Sequence, residues 1–411
     1  MKNIKSVIVV GGGSAGWMAA GYLSSKGIAV TLIESPDIGV VGVGESTVPA
    51  INWMANEMGM QEHEWMPLAR ATYKLGIRHE DWLHPNSVWY NYFLYDRTKA
   101  KDHHRYLTSD ALPPRESLEY GYHVDAYTFG ETICKTSAQR HGCKHIVAHV
   151  KEVVGDDRVG IQGVILDDGR KLDADFYVDC TGFKKLLANK VNMKYQSYTD
   201  HLNNRAIAGP QPSLPVINKY TTTKARSAGW IWEIPLAHRR GTGYVYSSAH
   251  ISDDQALAEY CKEYPGTDVN KLLHLKFNPE VCTTQIKNNV GVAGLSGGFL
   301  EPLEATSLFL TFFMIRQIYK YVANEREADV LNRNVTRVFN HIAKFILSHY
   351  TLTKRTDNEY WKYYANLETQ LDTLTMCREL ASQPDNYQWQ ESTLFFPYSW
   401  WALLDGYGLN E

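Results

Sequence analysis

The chain holds 411 residues, with 42 Lys and Arg against 45 Asp and Glu, a formal net charge of −3. That balance excludes a dedicated nucleic-acid binder and a polybasic membrane-surface protein. With 44% hydrophobic and 21% charged residues, disorder is excluded as the main state.

The length suits two or three domain-sized units or one large enzyme body. Aromatic residues stand out, with 13 Phe, 11 Trp and 26 Tyr making 12% of the chain. Such a load suits the holding of flat, apolar-faced molecules, and a large core could use it too. Six scattered cysteines (Cys134, Cys143, Cys180, Cys261, Cys282, Cys377) form no C-x-x-C pair, so neither a zinc ribbon nor a redox pair is expected, and no metal site. The N-terminus enters a strand and a glycine turn at once, without the apolar region of a signal peptide. The longest apolar run, 308–315 (LFLTFFMI), has core-helix length and falls short of the about 20 residues that cross a bilayer. The expectation is a cytoplasmic protein with reduced thiols, no membrane contact and no nucleic-acid partner.

In chain order, Ser6–Val10 (SVIVV) reads as a buried parallel strand. Residues 14–26 carry small and apolar side chains at helical spacing, and 28–34 (IAVTLIE) form a second strand, so 5–35 make one βαβ unit. The pattern predicts a helix over 52–64, a loop-heavy stretch over 85–120 and a helix over 126–141. From 145 to 179 the strands are short, with Asp168-Gly169 as a hairpin turn. Two strand-like stretches, GWIWEIPL and GYVYSSAH, flank HRRGTG in a second hairpin. A long apolar helix is expected over 306–324, and the rest is helical and rich in Trp and Tyr.

Gly11-Gly12-Gly13-Ser14-Ala15-Gly16 fits G-x-G-x-x-G in its full context: a strand precedes it, a helix follows, and Glu34 ends the next strand 18 residues after Gly16. Glycines let backbone approach a pyrophosphate held at the helix N-terminus, and Glu34 can accept from ribose hydroxyls. A second glycine segment, 39–49 (GVVGVGESTVP), is too glycine-rich for an ordinary strand and reads as backbone passing a flat ligand. Two strands running into glycines follow, 176–182 (FYVDCTG) and 290–299 (VGVAGLSGGF). Turns spread this widely fit an extended FAD better than a compact NAD site. The expected fold is α/β: an FAD-binding, doubly wound, Rossmann-like domain of the flavoprotein monooxygenase type, with an antiparallel sheet and a helical C-terminal substrate region. A boundary near residue 345 would divide an FAD-binding module (1–345, with an inserted sheet and substrate-facing segments around 85–125 and 200–285) from a helical cap (346–411).

At these motifs the chain resembles the flavin-dependent halogenases of the tryptophan halogenase family. The matching segments are GGGSAGWMAA (11–20), GVGESTVP (42–49), YKLGIR (73–78), HVDA (123–126), DCTGF (179–183), GWIWEIP (229–235), GTGYVYSS (241–248) and FLEPLEATS (299–307). The most specific is W-x-W-x-I-P.

The resemblance implies a two-component reaction. A separate reductase supplies FADH2, and reaction with O2 and halide (chloride, bromide or iodide) yields hypohalous acid. The acid travels inside the protein to a lysine beside an indole- or phenol-like substrate. Lys74 matches that lysine and Glu304 the assisting carboxylate, while Gly11, Gly13, Ser14, Ala15, Gly16 and Glu34 match the adenosine diphosphate site. Val43, Gly44, Glu45, Ser46, Thr47 and Val48 would lie at the isoalloxazine, with Leu295 and Leu300 completing the cofactor site. Backbone N–H groups at Thr306 and Ser307 would serve the halide; the family usually has glycine where Ser307 stands.

Members acting on free tryptophan carry His and Phe after the lysine strand. By spacing Asn91 takes the His position and Phe93 the Phe position, a departure that weakens a free-tryptophan assignment. Trp389, Phe395, Phe396, Trp400 and Trp401 are candidates to sandwich a ring, although a helical core would use the same residues. Trp230 and Trp232 alternate on a strand, so they share a face, either as core or as walls of the route between flavin and substrate. His123 reads as structural. The chain is shorter than tryptophan halogenases, which implies a more open site and looser substrate choice.

Taken without the motif, Lys74 would be a solvated lysine and Glu304 a charge favoured at a helix start. A flavin-dependent aromatic hydroxylase or epoxidase, and a flavin-binding sensor without turnover, are the alternative functions. A homo-oligomer stays open.

Overall fold

The computed structural model describes residues 4–39, 44–93, 100–107, 109, 119–383 and 393–410. At its centre, Ser6–Val10 lies between Ala29–Glu34 and Phe176–Asp179, parallel to both. Lys144–Val147 extends this sheet on one side and Val290–Val292 on the other, both parallel, and Ile286–Lys287 closes an edge antiparallel. The run of β-branched residues follows from burial on both faces. Val7 and Val9 join one apolar cluster and Ile8 and Val10 another, across the pleat. The helix Ser14–Ser25 follows the first strand as the glycine motif requires.

A seven-stranded sheet forms the second layer, in the order Leu273–Lys276, Arg205–Gln211, Arg240–Tyr246, Gly229–Pro235, Tyr220–Arg226, Gly76–Glu80, Val88–Tyr92. All neighbours are antiparallel except Tyr220–Arg226 and Gly76–Glu80. The hairpin expected across HRRGTG is present but tighter: Pro235 already pairs with Arg240, so Gly241 and Gly243 belong to the strand. The Asp168-Gly169 turn joins Gly160–Leu166 to Lys171–Leu172, with Gly169 at φ +86°.

A small sheet, Gly44–Ser46, Gly121–Asp125 and Thr72–Lys74, packs on the seven-stranded sheet, with Gly44 against Ile234, Leu236 and Gly241. The second glycine segment thus contributes a short strand, which its composition did not predict. The single helix expected over 52–64 is two, Ile51–Glu57 and Glu62–Leu68, parted around Gly59 at φ +74°. The stretch read as loop-heavy holds the strand Val88–Tyr92 and the helix Ala100–Leu107. The helix expected over 126–141 runs as Ala126–Phe129, a π-helical turn Gly130–Cys134, and Lys135–Arg140.

Twelve of the sixteen residues of the helix Ser307–Val322 are buried, residues 308–315 among them; each fully buried Leu or Phe contributes about 1.5–3 kcal/mol. Ala328–Thr351 runs unbroken through residue 345, so the expected boundary falls inside a helix. The last helix, Pro397–Gly406, packs on Val88–Tyr92 so closely that a Cβ on Gly406 would lie 2.3 Å from the Trp89 ring. Among the described residues no helix is long and apolar enough to cross a membrane.

Candidate active site

The first strand ends in a turn only glycine fits. Gly11 sits at φ +117°, and a Cβ there would lie 2.3 Å from the Cys180 carbonyl oxygen; one on Gly16 would lie 1.7 Å from the Gly11 oxygen. A Cβ on Gly13, by contrast, meets nothing within 4 Å. No side chain caps the following helix, so its first N–H groups face this open side. Backbone donors beside open space at the carboxyl end of a parallel strand suit a pyrophosphate, so these residues fit the ADP half of FAD.

Ser14 Oγ donates to the Ala126 carbonyl (3.0 Å). Ala15 packs against Gly294, where a Cβ would come within 2.5 Å of its own, which brings the fourth glycine turn onto the first. Ser296 Oγ ties that turn to Asp179 (3.0 Å), whose carboxylate also accepts from Leu187 and Ala188 N–H. Glu34 ends its strand with Oε2 2.8 Å from His145 Nε2. Leu300 is buried, and Leu295 lies in the turn Gly294–Ser296.

These features predict a discriminating pair of variants. Gly16→Ala should lose about 1–3 kcal/mol of stability and bind FAD at least tenfold more weakly. Gly13→Ala should keep its melting temperature and lose only cofactor affinity. Thermal melts and flavin-fluorescence titrations check both.

Lys74 ends the strand Thr72–Lys74, opposite Gly121, and is wholly buried. Its Nζ donates to the Thr47 carbonyl oxygen (3.1 Å) and lies 4.8 Å from the centre of the Phe93 ring. Burial lowers its ammonium to about 7, against a smaller upward pull from Glu304. Thr47 is fixed in turn by Tyr122, whose N–H donates to Thr47 Oγ1 (2.8 Å). Ser46 Oγ meets Thr221 Oγ1 at 2.8 Å, and Val48 is buried. Burial, then Asp125, raises the Glu45 carboxyl to about 7. Val43 lies outside the described residues.

Glu304 is also buried, in a left-handed conformation (φ +68°) followed by a second at Ala305 (φ +57°). Such non-glycine geometry costs about 1–3 kcal/mol per residue and gathers at functional sites. One carboxylate oxygen, Oε2, accepts from Asn91 Nδ2 (3.1 Å). The other, Oε1, faces two buried imidazoles, His349 Nε2 at 3.0 Å and His79 Nε2 at 3.5 Å. Burial raises the Glu304 carboxyl, but the two histidines outweigh it and hold it well below the usual carboxylate range. Burial lowers His79 to about 4, with Glu304 pulling the other way. The indole of Trp89 stacks on His79 at 4.0 Å. The three facing atoms lie within 4.8 Å of one another, close enough to share a cation.

Thr306 is buried, and Ser307 opens the helix Ser307–Val322, which no side chain caps. Both line a concavity with Gly294, Leu300, Glu301 and Thr311. Glu301 accepts from Asn203 Nδ2 (2.5 Å) and from the Tyr350 hydroxyl, and burial raises its carboxyl to about 7.

The structure therefore brings Lys74, Glu304, Asn91 and Phe93 together. Trp230 and Trp232 share a face, ring centroids 6.1 Å apart. His123 is buried between Thr72 and Thr221 hydroxyls. Trp400 packs on Phe345 and His341, and Phe395 stacks on Phe345 at 3.8 Å, so these rings lie in the helical core behind His349. Trp401 packs on Tyr398 (5.7 Å). Phe396 precedes the last helix, and Trp389 lies outside the described residues.

Sequence reasoning missed His79, His349 and Glu301. His349 had a signal: it continues the apolar stripe Val338, Ile342, Phe345 of its helix, where a polar residue needs a partner.

A glycine cradle at the carboxyl end of a parallel sheet, joined to a buried lysine and carboxylate, defines a flavoprotein with an interior reaction site. The tryptophan halogenase family profile matches residues 6–112 and 94–410, and the chain belongs to that family. It is 32% identical to the tryptophan 6-halogenase of Streptomyces toxytricini, over 99% of this chain and 90% of that one. It is 30% identical to the tryptophan 7-halogenase of Lentzea aerocolonigenes, over 90% and 80%. The solved structure of a flavin-dependent halogenase from Brevundimonas sp. BAL3 superposes with a TM-score of 0.85 at 30% identity, covering all of this chain and 91% of that one. The family uses FAD and halide.

Proposed function

We propose that the protein halogenates a small indole- or phenol-like compound, taking FADH2 from a separate reductase. Bound reduced FAD supplies, with O2 and halide, the hypohalous acid. The protein's part is to confine and aim it. The observation that carries this reading is the burial of Lys74 with Nζ on the Thr47 carbonyl, inside the segment that matches the family's flavin contact. The buried amine thus touches that segment and feels the charge of Glu304, and it can hold the acid by hydrogen bonding as ammonium or trap it as amine. Glu304 can take the ring proton. Thr306 and Ser307 N–H groups offer donors to halide. Asn91 on Glu304, where tryptophan-specific members have His, supports a substrate other than free tryptophan. Six unpaired cysteines support a reducing, cytoplasmic setting.

The test mixes the protein with FAD, NADH, a generic flavin reductase and air, supplies chloride, bromide and iodide separately, and offers indoles, phenols, anilines and free tryptophan. Mass spectrometry should find halogenated product from several arenes. Hydroxylated products instead, or strict use of tryptophan alone, would overturn the reading.

A further inference from the structure

Buried hydrogen-bond accounting around Glu304 places one proton on the His349 ring. His349 Nδ1 lies 2.9 Å from the Phe345 carbonyl, which only accepts, so Nδ1 carries a hydrogen. Nε2 of the same ring faces Glu304 Oε1 at 3.0 Å. A neutral His349 would set a bare lone pair against a carboxylate oxygen in a buried interior, which is repulsive, whereas a proton on Nε2 makes the contact attractive. His79 is fixed from the other side. Trp82 Nε1–H donates to Thr223 Oγ1 (3.0 Å), and the same hydroxyl meets His79 Nδ1 at 2.8 Å. His79 Nε2 stands 3.5 Å from the same Oε1, farther than the 3.0 Å of His349 Nε2, so His349 is the nearer partner of that oxygen. The other groups facing the pair are Lys74, Glu301 and Tyr407. A divalent ion would bring two charges into a buried site that Lys74 also faces, and a proton brings one.

We propose that Glu304 and His349 share one proton and serve as a one-proton store for halogen transfer, with His349 as a positioning residue acting through Glu304. This rests on the halogenase reading above. As the ring π pair forms the carbon–halogen bond, the oxygen–halogen bond breaks and its electrons stay on oxygen. The pair's proton turns that oxygen into water. The C–H bond at the same ring carbon then breaks, its electrons restore the aromatic ring, and its proton returns to Glu304. Arene and hypohalous acid become haloarene and water, and the pair ends as it began.

The test uses the full chain with FADH2, bromide and indole, comparing wild type with His349→Gln. The variant should consume reduced flavin at the wild-type rate, brominate indole at least tenfold more slowly, and show a rate decrease on ring-deuterated indole that wild type lacks. Proton NMR of the wild-type protein should show a strongly downfield exchangeable resonance that disappears in His349→Gln and in Glu304→Gln. The Glu304→Gln spectrum carries this arm if the histidine variant does not fold.

Unchanged bromination without an isotope effect overturns the proposal, as does absence of the resonance in wild type. Stoichiometric zinc or iron, whose removal by a chelator abolishes activity, also overturns it. If wild type makes no bromoindole and no other haloarene, the halogenase reading fails, and the resonance still decides whether the proton is shared.

Discussion

Lys74→Ala should lower halogenation by about 10²–10⁴-fold while oxidation of reduced flavin continues. The reason is location. No other lysine or arginine among the described residues is buried as Lys74 is except Arg355, which is paired to Asp357. Without the amine, hypohalous acid has nothing to hold it beside the ring, and it should appear in solution, where a thiol or dye trap measures it. A parallel loss of flavin oxidation and halogenation would place the lysine in cofactor binding instead.

The same burial predicts a pH effect on stability. Lys74 titrates at about 7 in the fold and at about 10.4 in the unfolded chain. Between those values the unfolded state binds the extra proton, so this group makes stability rise with pH, by up to about 1.4 kcal/mol per unit. Lys74→Met should remove that slope, read from urea unfolding at pH 7 and at pH 9.

Glu304→Gln should also cost about 10²–10⁴-fold in halogenation, with flavin oxidation and acid release intact. The amide keeps the shape and the Asn91 contact, but it neither takes a ring proton nor balances the imidazoles. Breaking a buried ion pair also costs about 3–5 kcal/mol when one charge is left behind, so the variant should melt lower at neutral pH. The sign of the pH dependence follows from the lowered carboxyl of Glu304. Its contribution is present above the unfolded value of about 4.3 and fades as pH falls below it. The stability gap between wild type and variant should therefore narrow in acid, which melts at pH 7 and pH 4 would show.

The nucleotide half of the site was legible in the chain because its signals are local. A β-branched strand, a glycine turn and a helix lie within about one βαβ unit. The YKLGIR and EPLEATS segments marked Lys74 and Glu304 through their resemblance to a family, since an isolated lysine or glutamate carries no such message. Segments without a local signal were read less well. The strand Val88–Tyr92 reads as loop in the sequence because its tyrosines and Asn91 mask the alternation, yet it pairs in the sheet and the last helix packs on it.

The sequence by itself determined a doubly wound nucleotide-binding domain and the identity of its turn residues, because backbone geometry at Gly11 and Gly16 admits nothing larger. Only the tertiary structure decided what surrounds the carboxylate. His79 comes from a strand, His349 from a helix far along the chain, and Asn91 from the neighbouring strand. Sheet order and helix packing bring them to Glu304, and their charges matter because that meeting point is buried.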